Sequence, residues 1–200
     1  MVVMLLASMP ASALLTGFEE GIGQNAQAIG ASIPGLIFET ILGFDVHFAD
    51  INSGWYSVTS DNSKVYEDGE YYVSQDVAAY VMELDDAAKI SFAYSTASYF
   101  TVGYSSQFPI TLKAFDSGGA LLAETSGIAN TKSQGGTGLS YLTVSHADIA
   151  YVTLDSPNAG GYWLMDNIET DAWVPEPASI FALGVGITGL AGIAARRRKK

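Results

Sequence analysis

Short runs in which apolar and polar residues alternate, separated by turn-forming residues, fill the middle of this 200-residue chain. In the run from 89 to 94, Ile90, Phe92 and Tyr94 fall on one face. The run from 110 to 115 alternates in the same way. Alternation of this kind is typical of antiparallel strands with one buried and one solvated face. Between residues 14 and 173 no stretch keeps a helical apolar period, so the sequence predicts an all-β domain.

The spacing of these runs predicts the architecture. The segment 116–119 is predicted to form a hairpin connection, and 130–138 and 155–161 are predicted to form surface loops. Strands about ten residues apart with turn signals between them favour an antiparallel β-sandwich, with a jelly roll as the leading architecture. The predicted strands are 36–42, 55–59, 71–74, 78–83, 89–95, 99–104, 110–115, 121–125, 139–144, 151–155 and 162–169.

The end of the chain has a different character. It consists of Val174-Pro175-Glu176-Pro177, an uncharged stretch over 178–195, and Arg196-Arg197-Arg198-Lys199-Lys200. The two prolines lack an N–H and fix φ, so neither a helix nor a central strand continues through them. As a helix, the uncharged stretch is about 27 Å long, enough to cross the hydrocarbon core of a bilayer. Five cations behind such a span predict a cytoplasmic flank.

The order of these three segments resembles the PEP-CTERM sorting signal of Gram-negative bacteria. The resemblance implies export, transient anchoring of the precursor in the inner membrane, processing by an exosortase, and delivery to the cell surface or an exopolysaccharide matrix. The alternative is a plain C-terminal membrane anchor with a basic stop-transfer cluster. Both interpretations place the region before residue 174 outside the cytoplasm.

The first residues are suited to export but are incomplete as a signal. Residues 2–6 form a short apolar run, and Ala11-Ser12-Ala13 has the pattern of a cleavage site. The first cation of the chain is Lys64, so a basic region is missing here. We interpret 1–13 as the remnant of a truncated signal peptide, the alternative being an apolar leader to the first strand. The predicted organisation is 1–13, a domain at 14–173 and the sorting signal at 174–200.

Charge and the lack of cysteine restrict the function further. Residues 14–174 contain four lysines and 20 acids, a net charge of 4 − 20 = −16. Such a surface repels nucleic acid and anionic lipid, and it attracts divalent cations. The chain has no cysteine, so disulfides and thiolate chemistry are excluded.

A second resemblance concerns the domain. The strands from Ile90 to Glu124, and the closing run that contains Asp166-Asn167, are similar to secreted jelly-roll domains of the carbohydrate-binding type. The resemblance implies a protein that associates with exopolysaccharide. It also implies a structural calcium ion between Glu19 or Glu20 of the first strand and Asp166 of the last. Calcium takes hard oxygen ligands, which these carboxylates supply. The alternative is that Glu19 lies on the surface and Asp166 caps a strand end.

The sequence offers little for catalysis, so we expect a protein that is not an enzyme. It has two histidines and no G-x-S-x-G elbow. Its paired acids are adjacent in sequence, and on a strand such neighbours point to opposite faces. Trp55, Tyr162 and Trp163 lie near predicted loops and are candidates for stacking on sugars, although aromatic residues also fill β-cores. The competing functions are a structural or adhesive surface module without a glycan site, and a secreted glycan hydrolase.

Overall fold

The computed structural model describes residues 14–50, 64–66, 71–74, 76–81, 87–156 and 163–172. These residues contain no α-helix, only two short 3₁₀ turns at Glu19–Gly21 and Lys132–Gln134. The strands are β1 (Leu14–Thr16), β2 (Leu36–Thr40), β3 (Val46–Asp50), β4 (Lys64–Tyr66), β5 (Tyr71–Val73), β6 (Val77–Val81), β7 (Ala88–Phe92), β8 (Ala97–Ser106), β9 (Ile110–Phe115), β10 (Leu121–Gly127), β11 (Ser140–Ile149), β12 (Tyr151–Asp155) and β13 (Trp163–Thr170).

Two antiparallel sheets form a sandwich. Sheet A has the order β11-β8-β13-β6-β3, and β1 also pairs with β13. Sheet B has the order β10-β9-β12-β7-β2. Most connections pass from one sheet to the other, as from β7 to β8, β8 to β9 and β10 to β11. This is the connectivity of a jelly roll, and the predicted fold class is confirmed.

The core lies between the sheets and follows the alternation read from the sequence. In β9, Ile110, Leu112 and Ala114 are fully buried, whereas Thr111 and Lys113 are on the outer face. The hairpin at 116–120 forms as predicted, because Asp116 Oδ1 accepts hydrogen bonds from the backbone of Gly118 and Ala120. Burial of a side chain the size of Ile110 or Leu112 contributes about 1.5–3 kcal/mol relative to exposure.

A second, smaller core lies on the outer face of sheet A. The hairpin β4–β5 packs there, and Tyr71 and Val73 cluster with Ala49, Ala78 and Leu164. The backbone N–H of Tyr72 donates to Ser105 Oγ on β8, at 3.0 Å. β5 thus covers the part of this face near Leu164 and Ser105, whereas Glu169, toward the other end of β13, is exposed.

Three details differ from the prediction. β3 was not predicted: four of its five residues are buried, because the small core covers Ala49 on its outer side, and the alternation is lost. β2 ends at Thr40, two residues early, because the chain turns at Gly43, where φ is +87°. Tyr94 lies beyond the end of β7 and is exposed, so it does not share the buried face of Ile90.

Several predicted features lie outside the described residues. They are the N-terminal remnant at 1–13, the strand at 55–59, and the whole segment 174–200 with its predicted span at 178–195. Within the described ranges, no helix is long and apolar enough to cross a membrane.

Candidate functional site

The uncovered part of sheet A's outer face is a grid of side chains from three neighbouring strands. The register pairs Tyr141 with Gly103, Thr143 with Thr101, and Ser145 with Tyr99, and it pairs Thr101 with Glu169. Cross-strand partners share a face of the sheet. We call this surface the open face. It comprises Tyr141, Thr143, Ser145, Tyr99, Thr101, Gly103, Asn167 and Glu169.

The most prominent group of the open face is the ring of Tyr141. It belongs to β11, yet its hydroxyl accepts a hydrogen bond from Asn167 Nδ2 on β13, at 3.1 Å. β8 lies between these two strands, so the ring extends across it over Gly103. A Cβ at Gly103 would lie only 3.2 Å from Tyr141 Cε1. The ring therefore lies along the sheet with one face turned to solvent, and the residue is 55% exposed. We call this arrangement the Tyr141 platform.

Polar groups continue the open face along the strands. Thr101 Oγ1 and Thr143 Oγ1 are 2.9 Å apart, and the Tyr99 hydroxyl donates to Glu169 Oε1 at 3.0 Å. Partial burial raises the pKa of Tyr99, and the hydrogen bond and charge of Glu169 raise it further. Tyr99 is therefore a neutral phenol at physiological pH, and it holds the Glu169 carboxylate in a fixed position.

Asp171 follows β13 at the edge of the open face. Its Oδ1 accepts the backbone N–H groups of Ser98 and Tyr99, and its Oδ2 accepts the Ser98 hydroxyl at 2.6 Å. Partial burial works to raise the pKa of Asp171, but these hydrogen bonds outweigh it and the pKa is lowered. Asp171 is thus a fixed negative charge at neutral pH.

A groove adjoins the platform. Its volume is about 540 Å³, and the loop between β10 and β11 lines it together with Tyr141. Asn130 anchors the loop: its Nδ2 donates to Tyr104 O at 2.8 Å, and its Oδ1 accepts from Ser106 N at 2.7 Å. The Tyr72 hydroxyl holds the other side of the loop by donating to Gly136 O. The groove is therefore a built feature of the fold.

Asp166 pairs with Gly103 and so lies on the same side of sheet A as the open face, but Ser74 covers it and it is fully buried. Its Oδ2 accepts the backbone N–H and the hydroxyl of Ser74, at 2.7 and 2.9 Å, and its Oδ1 accepts the N–H of Asn167. Burial raises the pKa of Asp166 to about 7, against the lowering effect of these hydrogen bonds, and the charge of Glu19 adds to the rise. The negative charge of Glu19 therefore acts on the Asp166 carboxylate and favours its protonated form.

The space beside Asp166 is left by Gly17. A Cβ there would lie 3.3 Å from Asn167 Oδ1, 3.7 Å from Asp166 Oδ1 and 3.9 Å from Ser74 Oγ. Oxygen atoms of three side chains therefore lie around Gly17, and oxygen is the ligand type that calcium takes. Within the described residues, no group of three or more His, Asp or Glu side chains is arranged to hold a metal. An ion here would draw on amide, hydroxyl or backbone oxygens as well as carboxylates.

The other two predicted ligands lie on the first 3₁₀ turn. Glu19 Oε1 accepts the backbone N–H groups of Asp76 and Val77, at 3.2 and 3.4 Å. Glu20 Oε2 accepts the Thr16 hydroxyl at 3.4 Å. Glu19 thus holds the backbone at the start of β6, and Glu20 holds a side chain at the end of β1. Of the two, Glu19 is the one whose charge raises the pKa of Asp166.

The predicted stacking residues are not on the open face. Trp55 and Tyr162 lie outside the described residues. Trp163 is only 6% exposed and packs in the main core, so the stacking role predicted for it is wrong. It points inward because it is next to Leu164, whose side chain faces the small core on the other side of sheet A. The exposed aromatic residue of this face is Tyr141, which the sequence analysis did not select. The alternation of Tyr141 with the buried Leu142 along β11 is the sequence feature that could have identified it.

Residues 174–199 match the family model of the PEP-CTERM protein-sorting motif. The chain carries a PEP-CTERM sorting motif. The match begins at Val174, includes Pro175, Glu176 and Pro177, and extends into the basic tail. A PEP-CTERM motif indicates an exported protein that is processed at the membrane, so the predicted export is confirmed. The sequence matches no curated protein.

Three solved structures with similarity to this chain illustrate the comparison. The K2 cleaved adhesin domain of Lys-gingipain has 13% identity, covering 80% of this PEP-CTERM chain and 99% of that chain, with a TM-score of 0.50. A DUF4465 family protein from Bacteroides caccae has 10% identity, with coverage of 79% and 98% and a TM-score of 0.45. A mutant of a family 29 carbohydrate binding module has 10% identity, with coverage of 62% and 91% and a TM-score of 0.35. At such identities, the likeness to the adhesin domain shows a shared fold alone.

Proposed function

We propose that the domain is a non-catalytic glycan-binding module of the cell surface or extracellular matrix, and that it holds exopolysaccharide on the open face. The observation that carries this proposal is the Tyr141 platform. A sugar ring has an apolar C–H face that packs on an aromatic face and hydroxyls that need hydrogen-bond partners at its edge. A tyrosine ring suits such a contact because its face is apolar and its hydroxyl can form hydrogen bonds at the solvent-exposed edge.

The surroundings of the platform supply the polar partners. Asn167 and Glu169 lie on β13 beside the ring, and Thr101 and Thr143 follow it along β8 and β11. The groove under the 128–139 loop gives the same ligand a second wall. A face with one aromatic ring and convergent polar groups is the usual composition of a small-molecule site.

Two other functions remain as competitors. A structural or adhesive module would use the same fold without binding a glycan. A glycan hydrolase needs an acid and a base or nucleophile flanking the scissile bond. Glu169 and Asp171 instead hold hydrogen bonds with Tyr99 and Ser98. This arrangement favours a role in positioning rather than in catalysis.

The binding proposal is tested on the exported protein with a glycan array and matched alanine variants. Tyr141→Ala is expected to lower affinity at least tenfold, because one stacked ring is lost. Tyr94→Ala is the control, since Tyr94 is 56% exposed but follows β7 of sheet B, the other sheet. Equal affinity of the two variants for every bound glycan, or no binding by the wild type, would leave the structural module as the better function.

We also propose that an exosortase is the processing partner. It would cut near Val174–Pro177 and release the domain from the inner-membrane span at 178–195, with the basic tail left on the cytoplasmic side. The motif match supports this proposal. Mass spectrometry of the surface-localised protein tests it. Residues 180–200 still attached to that form would show a permanent anchor instead.

Finally, we propose a structural calcium ion beside Gly17. Asp166 and Asn167 would hold it from β13, with Glu19 as the second carboxylate. The ion would supply the positive charge that a buried carboxylate needs, and it would connect the first and last strands of a chain without disulfides.

A further inference from the structure

The charges of the domain are sorted between the two faces of the sandwich. Lys89 and Lys113 lie on the outer face of sheet B, where they pair with Glu39 at 2.8 Å and with Glu124 at 3.7 Å. Across the strands this row reads Glu39, Lys89, Thr153, Lys113, Glu124. The face opposite the platform is thus locally neutralised.

The open face has the opposite composition. Glu169 and Asp171 lie on or beside it, whereas Lys89 and Lys113 are on sheet B and Lys132 is on the exposed 3₁₀ turn of the loop beside the groove. Glu169 Oε1 is held by Tyr99 while the residue remains exposed to solvent. Its position is therefore fixed before any ligand arrives, which reduces the entropy lost on binding.

The spacing of these groups suits one short sugar chain. Tyr141 is in the same row as Gly103, and Glu169 is in the next row of outward residues. Successive outward rows are roughly 7 Å apart along a strand. A sugar stacked on the Tyr141 platform therefore brings the substituents of its neighbour to the Glu169 carboxylate.

We propose that the glycan bound by the open face carries free amino groups, as in a partly or fully deacetylated amino-sugar polymer. This inference rests on the proposed function and names its substrate class. A protonated amine donates to the Glu169 carboxylate in a charge-assisted hydrogen bond, and Asp171 adds to the attraction. The faces of Tyr99 and Tyr141 favour a cation in addition. A uronate would meet the same carboxylates and a strongly acidic domain, so it is repelled.

The test compares three soluble oligosaccharides of equal length with the exported protein. They are β-1,4-linked glucosamine oligomers, their fully N-acetylated forms, and galacturonate oligomers, measured by calorimetry at low salt. The glucosamine oligomers are expected to bind about tenfold more tightly than the acetylated ones, the equivalent of one charged hydrogen bond. The preference should decrease with added salt, because screening weakens exposed charge pairs. Galacturonate is expected not to bind.

Two matched variants locate the effect. Glu169→Gln should remove the preference for the amine, and it keeps an oxygen for the Tyr99 hydroxyl. Glu124→Gln removes the same charge from sheet B and should leave the preference intact. Three results would overturn the inference: equal binding of both amino-sugar forms, tighter binding of galacturonate, or an unchanged preference in Glu169→Gln. In each of these cases, a loss of binding in Tyr141→Ala would still support the proposed function. If no oligomer binds, the inference is wrong, and the proposed function is then decided by the glycan array alone.

Discussion

Gly103 is the residue on which the Tyr141 platform depends. A Cβ there would approach Asp166 O at 2.9 Å and Tyr141 Cε1 at 3.2 Å. The first contact is with backbone and cannot relax easily, whereas the second would lift the ring off the sheet. A larger residue at 103 would therefore change both the strand and the site.

For Gly103→Ala we expect a loss of stability of roughly 1–3 kcal/mol from overpacking, together with weaker glycan binding. Urea unfolding and the glycan titration measure the two effects. Thr111→Ala, on the outer face of sheet B, should leave the platform and glycan binding unchanged and serves as the control. If Gly103→Ala binds glycan as tightly as the wild type, the ring does not need its flat position.

Asp166 predicts a pH dependence of stability. Its pKa in the folded state is raised to about 7, above the ordinary value of 3.8. The folded state thus holds a proton that the unfolded chain releases, and this contribution is fully present below about pH 4. It is lost as pH rises from about 4 to 7. Asp166→Asn should abolish this component.

The measurement is the free energy of unfolding of wild type and Asp166→Asn from pH 4 to 8, with EDTA present so that no divalent ion contributes. The difference between the two proteins should change across this window and be constant above it. A difference that is constant from pH 4 to 8 would mean that Asp166 is ionised in the folded protein throughout.

At the scale of elements, the loop between β10 and β11 depends on one buried amide. Asn130 joins it to both the carbonyl of Tyr104 and the N–H of Ser106. In Asn130→Ala both backbone groups lose their partner. The expected cost is about 1–3 kcal/mol per unsatisfied group, and the groove should open.

Hydrogen exchange measures this directly, because the N–H of Ser106 should lose protection in Asn130→Ala. Gln134→Ala, in the same loop but on its exposed 3₁₀ turn, is the comparison. Equal protection of Ser106 in the two variants would show that the backbone of the loop, and not Asn130, keeps its shape.

The same elements show how far sequence alone can go. The strands with one solvated face, such as β9, were predicted because their alternation is visible. β3 was missed because both its faces are covered. Asp166 was predicted as a candidate ligand, but the turn of the chain at Asn167, where φ is +50° and the register shifts, was not. That irregularity depends on which strands flank β13, and this is information from distant parts of the chain.

At the scale of the whole molecule, the fold was predictable and the composition of the open face was not. Spacing and turn signals define a sandwich, but only the register places Tyr141 over Gly103 and assigns the paired lysines to the other sheet. The excess of negative charge matters at this scale too. Residues 14–174 carry a net charge of −16, and self-repulsion opposes the compact state.

Calcium is therefore expected to raise the melting temperature. Binding to the folded state alone stabilises by about 2.7 kcal/mol at a hundredfold excess over Kd, roughly 2–8 °C for a domain of this size. Gly17→Ala, which places a methyl group among the oxygens of Asp166, Asn167 and Ser74, and Asp166→Ala should remove the shift. Asp116→Ala, in the hairpin, should not. Sodium chloride at equal ionic strength is the control for screening, and an equal shift with both salts would exclude a specific site.

The pairing of β1 with β13 determines how the domain bears a mechanical load. Leu14 is opposite Thr170, so both ends of the described domain leave from one pole of the sandwich. β13 is flanked by β8 on one side and by β6 and β1 on the other. If the proposed glycan at Tyr141 and the C-terminal end of β13 were pulled apart, the tension would pass along β13 and load its ladder with β8 in shear. Several hydrogen bonds must then break together, whereas a strand at the sheet edge would peel one bond at a time.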